Sequence, residues 1–328
     1  LAVGSMGASV LVMKYKTLIA MMCGLALTSG TLQSQILYSD NFDAGTSASG
    51  WTAVLSHSDA FADFAFDYST LGIPPAPRSS GTTIGMRFLV NQSAGVFQGI
   101  SASPNGQGFT DFILRFDMWL NYNGPLNGGG SGSTQVGSFG WGTSGASAQW
   151  AGASSSIMFG ASGDGGSTVD YRVYRDNALL APSTGVYAAG TGTSPDARNN
   201  IHPYYTALFG GETAPAAQLA LYPGQTGATF DGALGFAWRD VVIVKNGDTL
   251  TWSIDGNLIA TVSAAGATLS GNNIFFGQFD INATSSTDVN DFLITSIYDN
   301  ITVSVVPEPS SALLGLLGLA ALGLRRKG

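Results

Sequence analysis

Between Phe112 and Tyr122 every second residue (Phe112, Leu114, Phe116, Met118, Leu120) is large and apolar, and Arg115, Asp117, Trp119 and Asn121 fall between them. A period of two belongs to a strand, whose side chains alternate between faces, and does not fit a helix. The pattern recurs where Val169, Tyr171 and Val173 alternate with Asp170, Arg172 and Tyr174. Its clearest unit runs from Val241 to Val262. Strand Val241–Lys245 meets Asn246-Gly247, strand Thr249–Ile254 meets Asp255-Gly256, and Leu258–Val262 follows. Asn-Gly and Asp-Gly suit turns that need positive φ, so this stretch reads as a three-stranded meander. Further strands are expected at Ile36–Phe42, Ile84–Val90, Ile274–Asp280, Phe292–Tyr298 and Ile301–Val305. Forty-five glycines and a scarcity of Lys and Glu argue against helices, while 18 Phe, 11 Tyr and 6 Trp supply a core and argue against disorder. The expected fold is all-β: an antiparallel jelly-roll β-sandwich.

Charge narrows the partners. From Ile36 to Val306 there are 19 Asp and one Glu against one Lys and seven Arg, so 8 − 20 = −12, compared with −8 for the whole chain. Such a surface repels phosphate backbones and excludes a nucleic-acid partner; divalent cations and neutral polysaccharides remain compatible with it. The one cysteine, Cys23, lies in an N-terminal apolar run, so the remainder forms no disulfide.

The ends read as address labels. Met13-Lys14-Tyr15-Lys16 followed by Thr17–Leu27 is a cationic start with an apolar stretch, which suits a secretory signal, and residues 1–35 are assigned to an upstream extension and this signal. Residues 36–305 form the sandwich domain, and 306–328 carry a short transmembrane helix. There Pro307-Glu308-Pro309 precedes the apolar run Ala312–Leu324, and Arg325-Arg326-Lys327 follows. Thirteen helical residues reach roughly 20 Å against a hydrocarbon core of about 30 Å. The basic tail is expected to stay cytoplasmic, placing the large domain outside.

This ending resembles the PEP-CTERM sorting signal of Gram-negative bacteria, with Pro307, Glu308, Pro309, Arg325, Arg326 and Lys327 as its sorting residues. The resemblance implies transient anchoring in the inner membrane, cleavage by an exosortase-type processing enzyme, and delivery to the cell surface or extracellular space. It also implies a host that makes exopolysaccharide. The meander Trp252–Ala260 resembles the concanavalin-like and laminin-G-like jelly rolls. Asp40-Asn41-Phe42 with Trp51, together with Tyr298-Asp299-Asn300-Ile301, resembles jelly-roll carbohydrate-binding modules of the galactose-binding type. The length of the core favours the concanavalin-like form.

Few residues carry chemistry. Hydrolytic jelly rolls of the laminarinase type use a Glu-x-Asp-x-x-Glu strand, and a glycosidase needs two carboxylates about 5–9 Å apart. The only Glu in the core is Glu212, in a loop context. His57 and His202 lack ligand spacing for zinc. The Gly-rich stretch Gly124–Gly145 lacks the ending of a phosphate-binding loop and reads as a long loop at the sandwich edge. No catalytic residue is assigned and no cofactor is required. Asp40 and Asp299, at the two chain ends of the domain, are candidate ligands of a structural calcium ion. Trp119, on the polar face of its strand, is the candidate glycan contact. The expected function is an exported, non-enzymatic surface or matrix protein that binds extracellular polysaccharide. A divergent glycan hydrolase or lyase, and a purely structural coat or adhesion protein, are the alternatives.

Overall fold

A computed structural model describes residues 35–92, 95–126, 135–283 and 290–307. Contacts separate Ile36–Val306 from a second unit formed by Leu1–Gln35 and Pro307–Gly328, and the fold below is that of Ile36–Val306. The early strands are β1 (Ile36–Asp40), β2 (Trp51–Leu55), β3 (Phe61–Asp67), β4 (Ile84–Leu89), β5 (Gly99–Pro104) and β6 (Phe112–Asn121). Next come β7 (Gln135–Thr143), β8 (Ile157–Ser162), β9 (Tyr171–Arg175) and β10 (Ala178–Leu179). After two short helices, α1 (Pro203–Thr206) and α2 (Ala216–Leu221), follow β11 (Arg239–Asn246), β12 (Thr249–Ile254), β13 (Asn257–Ser263), β14 (Asn273–Asp280) and β15 (Thr295–Ser304).

These strands make two antiparallel sheets. One has the order β13-β12-β11-β6-β15-β4-β3, with β1 on β15; the other runs β10-β9-β8-β7-β14-β5-β2. The chain crosses repeatedly between them, so the central neighbours β11 and β6, β6 and β15, and β7 and β14 are distant in sequence, as in a jelly roll. The alternation at 112–122 explains the layering: Phe112, Leu114, Phe116, Met118 and Leu120 all enter the core between the sheets. There the Phe116 ring meets Phe139 at 5.0 Å and Phe276 at 4.8 Å, both edge-on. Tyr298 is buried with its hydroxyl directed at the carbonyls of Gly277 (2.9 Å) and Ser138 (3.1 Å). One β15 residue thus reaches across to both central strands of the facing sheet.

The meander forms as expected, with one change of turn. Asn246 pairs with Thr249 as the last strand residue, so the first loop is Gly247-Asp248, with Gly247 at φ 55°. The second loop is Asp255-Gly256, at φ 50° and 77°, as the dipeptide demands. Two other expectations are corrected. Phe292–Tyr298 and Ile301–Val305 are not separate strands: β15 runs from Thr295 to Ser304 with an irregularity between Asp299 and Thr302, where Asn300 takes φ 52°. The Gly-rich stretch is not all loop, because its second half is β7, a central strand. Its glycines answer to packing: a Cβ at Gly140 would lie 2.1 Å from the Ile157 carbonyl oxygen, and one at Gly137 would lie 2.6 Å from Leu120.

A second apolar cluster covers the outer face of the β6/β15 sheet. Tyr68, Leu71, Ile73, Trp119, Phe236, Leu293 and Ile297 build it. The β3–β4 connection and the long excursion between β10 and β11 together supply the lid. Its α2 packs so closely on the turn after β3 that a Cβ at Gly72 would come 2.4 Å from the Gln218 nitrogen, and Gln218 Nε2 donates to the Leu71 carbonyl at 2.9 Å. Among the described residues no helix is long and apolar enough to cross a membrane; the run Ala312–Leu324 lies outside them.

Candidate functional site

Pairing of β1 with β15 sets Asp40 opposite Ile301, so the two ends of the domain meet on one sheet. Beside this junction opens a cleft of about 410 Å³ lined by Ser39, Asp40, Asn41, Arg78, Asn300, Ile301 and Thr302. Behind it lies a charged network on the outer face of β6. Arg78, from the β3–β4 connection, donates its Nε to Asp117 Oδ1 at 3.1 Å. Asn300 Nδ2 donates to Asp117 Oδ2 at 2.9 Å, which the positive φ at Asn300 permits by breaking the β15 register. Arg115 grips both oxygens of Asp240 at 2.8 and 2.9 Å, and Arg78 Nη1 stands 3.8 Å from the same carboxylate.

Asp299 sits directly opposite Asp117 in the β15–β6 ladder and is fully buried. Like charges across a ladder repel. Burial first, then the charges of Asp117 and Asp43, push the Asp299 carboxyl up to about 7, against hydrogen bonds from the Asn300 amide and the Tyr68 hydroxyl. Burial likewise raises the Tyr68 hydroxyl, so it serves Asp299 as a donor. The cleft is therefore lined by hydroxyl-, amide- and guanidinium-bearing residues over a floor whose carboxylates are already hydrogen-bonded.

The residues singled out from the sequence fall as follows. Asp40 and Asp299 come to the same region but share no partner. Asp40 Oδ1 accepts from the Phe42 amide and Ser47 Oγ, and its Oδ2 accepts from Trp51 Nε1. Asp299 accepts from the Asn300 amide and the Tyr68 hydroxyl. Hydrogen-bond donors complete both groups, so this pair does not fit as the ligand set of a calcium ion. Among the described residues no cluster of three or more His, Cys, Asp or Glu side chains is placed to hold a metal. Trp119 is corrected as a sugar contact. It is 1% exposed, packs against Trp238 at 5.6 Å, and spends its indole N–H on Asn121. The face it occupies is covered by a second core, so no ring face is left for a ligand. His57 Nδ1 and His202 Nδ1 accept backbone amides of Asp59 and Tyr204 in local turns. Pro307 is exposed; Glu308, Pro309, Arg325, Arg326 and Lys327 lie outside the described residues.

Arg78, Asp117 and Asn300 are site residues that no sequence motif marks. Asn300 carries a weak local signal, an Asn able to take positive φ inside a strand pattern. Arg78 stands in an irregular loop and carries none.

The profile of the PEP-CTERM protein-sorting motif matches residues 305–327. The match marks an exported protein with a C-terminal membrane-anchoring sorting signal, of the kind processed by an exosortase. Among curated proteins none matches the chain. Solved structures of similar shape include a carbohydrate-binding module, CBM66, from Bacillus subtilis, at 9% identity and TM-score 0.38, covering 78% of this chain and 95% of that one. A β-glucanase of Bacillus licheniformis aligns at 12% identity and TM-score 0.39, covering 84% of this chain and 100% of that one. A structure titled for endo-acting O-glycanases of the human gut microbiota aligns at 10% identity and TM-score 0.43, covering 83% and 100%.

Proposed function

We propose that this exported protein is a non-enzymatic surface or matrix component whose sandwich binds a neutral extracellular polysaccharide in the cleft between β1 and β15. One observation carries the reading: six polar residues of mixed type, Ser39, Asp40, Asn41, Arg78, Asn300 and Thr302, line one open cleft. Sugar hydroxyls both donate and accept, and amide, hydroxyl and carboxylate groups at a fixed spacing suit them. The net negative charge disfavours anionic glycans and selects neutral ones. Retardation of the purified protein in gels containing neutral polysaccharides tests the proposal. Asn41→Ala, at an exposed position, is expected to weaken binding about tenfold, the loss of roughly one ligand hydrogen bond, with an unchanged melting temperature. Failure to be retarded by any neutral polysaccharide refutes the reading, as does undiminished binding by both Asn41→Ala and Ser39→Ala.

A glycan hydrolase is favoured by one observation, the Asp117–Asp299 pair with one carboxyl pushed up to about 7, a pattern common at active sites. Both groups are buried and engaged by Arg78, Asn300 and Tyr68. Release of reducing ends that is lost in Asp299→Asn would establish the hydrolase instead.

A further inference from the structure

At the opposite end of the second sheet, three oxygen-bearing side chains from distant parts of the chain meet. Gln98 immediately precedes β5, Asp280 ends β14, and Asp59 sits in the turn that carries the chain from β2 in one sheet to β3 in the other. Gln98 links the two acids: its backbone amide donates to Asp280 Oδ1 at 2.9 Å, and its side-chain Nε2 donates to Asp59 Oδ2 at 3.2 Å. The Asp280 amide returns a bond to the Gln98 carbonyl at 3.1 Å, which fixes the trio. Gln98 and Asp280 are both fully buried, yet Gln98 Oε1 and Asp280 Oδ2 have no hydrogen-bond donor.

Two orphan acceptors on adjoining buried side chains are costly, since each forfeits its hydration without compensation. We propose that Asp280 Oδ2, Gln98 Oε1 and the Asp59 carboxylate form a calcium-class divalent cation site that staples the β2–β3 turn to the ends of β5 and β14. The donor set is all oxygen, two carboxylates and an amide carbonyl, which suits a hard cation and lacks the nitrogen or sulfur ligands that zinc prefers. Asp59 is only half-buried, so water can complete the six to eight ligands calcium takes. The electrostatics agree: burial, and then the charge of Asp59, push the Asp280 carboxyl up to about 7. A nearby cation would offset both causes.

Trp150 provides a local reporter. It packs on the residue after Gln98 and beside the residue before Asp280: a Cβ at Gly99 would lie 2.4 Å from Trp150 Cβ and 2.9 Å from Phe279 Cβ. The ring of Phe97 lies 4.7 Å from it. At the chain-end junction, by contrast, Asp40 is bonded to a different tryptophan, Trp51. The purified full-length protein, stripped with a chelator, is titrated with CaCl2 by thermal denaturation and with TbCl3 by tryptophan-sensitised emission. Millimolar calcium is expected to raise the melting temperature by roughly 5 °C, and terbium emission should appear and then be displaced by calcium. Trp150→Phe should abolish the emission while keeping the thermal response; Asp59→Asn should weaken calcium binding at least tenfold, and Asp280→Asn should remove it. Asp299→Asn should leave the response intact. No calcium response overturns the proposal. A response lost in Asp299→Asn, or emission lost in Trp51→Phe and kept in Trp150→Phe, also overturns it by moving the ion to the chain-end junction.

Discussion

Replacing Arg78 by Met tests whether the network beneath the cleft is a structural unit. Arg78 is the only described cation within 4.0 Å of Asp117, whose side chain is 2% exposed; the Arg78 side chain is 26% exposed. Breaking a buried pair from one side typically costs about 3–5 kcal/mol, because the remaining charge stays buried and unmatched. Two features lower that figure here: Arg78 reaches solvent, and Asn300 Nδ2 still donates to Asp117. The expected loss is about 2–3 kcal/mol, which for a domain of this size lowers the melting temperature by roughly 5–10 °C. Adding Asp117→Asn removes the stranded charge and should recover at least half of the loss, a coupling of about 1–2 kcal/mol in a double-mutant cycle. Arg115→Ala is the control. Its bidentate pair with Asp240 is solvent-exposed on both sides, and such pairs contribute less than about 1 kcal/mol. Thermal and urea unfolding at pH 7 give all four values. Equal losses for Arg78→Met and Arg115→Ala, or a double variant no more stable than Arg78→Met, would refute the reasoning.

Gly256→Val and Gly247→Val should each cost about 1–2 kcal/mol in urea unfolding: both sit at positive φ with no atom within 4 Å of an added Cβ, so backbone strain is the whole effect. Gly50→Ala, with equal space and no positive φ, should be neutral. Burial pushes the Asp170 carboxyl up to about 6. A raised carboxyl contributes stability that is fully present below its unfolded value near 3.9 and is lost as pH rises through about 6. Chelator-treated protein should therefore lose about 2 kcal/mol from this site between pH 4 and 7, and Asp170→Asn should reduce the overall slope by that amount; an unchanged slope excludes Asp170 as a source. At the sorting signal, mature protein from the host should lack Arg325–Lys327 by mass spectrometry, and alanines at Pro307-Glu308-Pro309 should leave an uncleaved, membrane-retained form. An intact C-terminal peptide ending at Gly328 in the mature pool counts against processing.

The parts of the fold legible in the sequence are those where one local rule suffices. The meander at 241–262 combines alternation with turn dipeptides, and both act within a few residues. β7 was hidden because its glycines satisfy a nonlocal demand, the close approach of Ile157 and Leu120, which composition registers only as flexibility. Trp119 shows the limit of a period of two. Alternation assigned it to the face opposite Phe116 and Met118, and it lies there, but the lid over that face comes from the β3–β4 connection and the excursion between β10 and β11, neither of which carries a strand pattern. The junction of Asp40 with Asp299 was legible as a meeting of chain ends. What completes each carboxylate was not, because Tyr68 and Trp51 arrive through tertiary packing.

The charge count, which first excluded nucleic acid, also accounts for the strained acids. Of the eight Lys and Arg between Ile36 and Val306, six lie within 4.0 Å of an Asp: Arg78, Arg115, Arg175, Arg198, Arg239 and Lys245. The other two are engaged elsewhere, Arg87 over the Phe66 ring and on Thr295, Arg172 on Tyr174 and Ser167. The fold thus has almost no side-chain cation left for Asp170, Asp280 and Asp299, and burial raises all three. Asp170 and Asp299 are completed by hydroxyl and amide donors at both oxygens. Asp280 is the exception, with one oxygen bonded and the other orphaned beside Gln98. A sandwich that has committed its own cations can balance that last carboxylate in two ways, by a proton or by a metal ion. The second acid at Asp59 tips the balance toward the ion, since one proton neutralises one carboxylate while a divalent cation neutralises both.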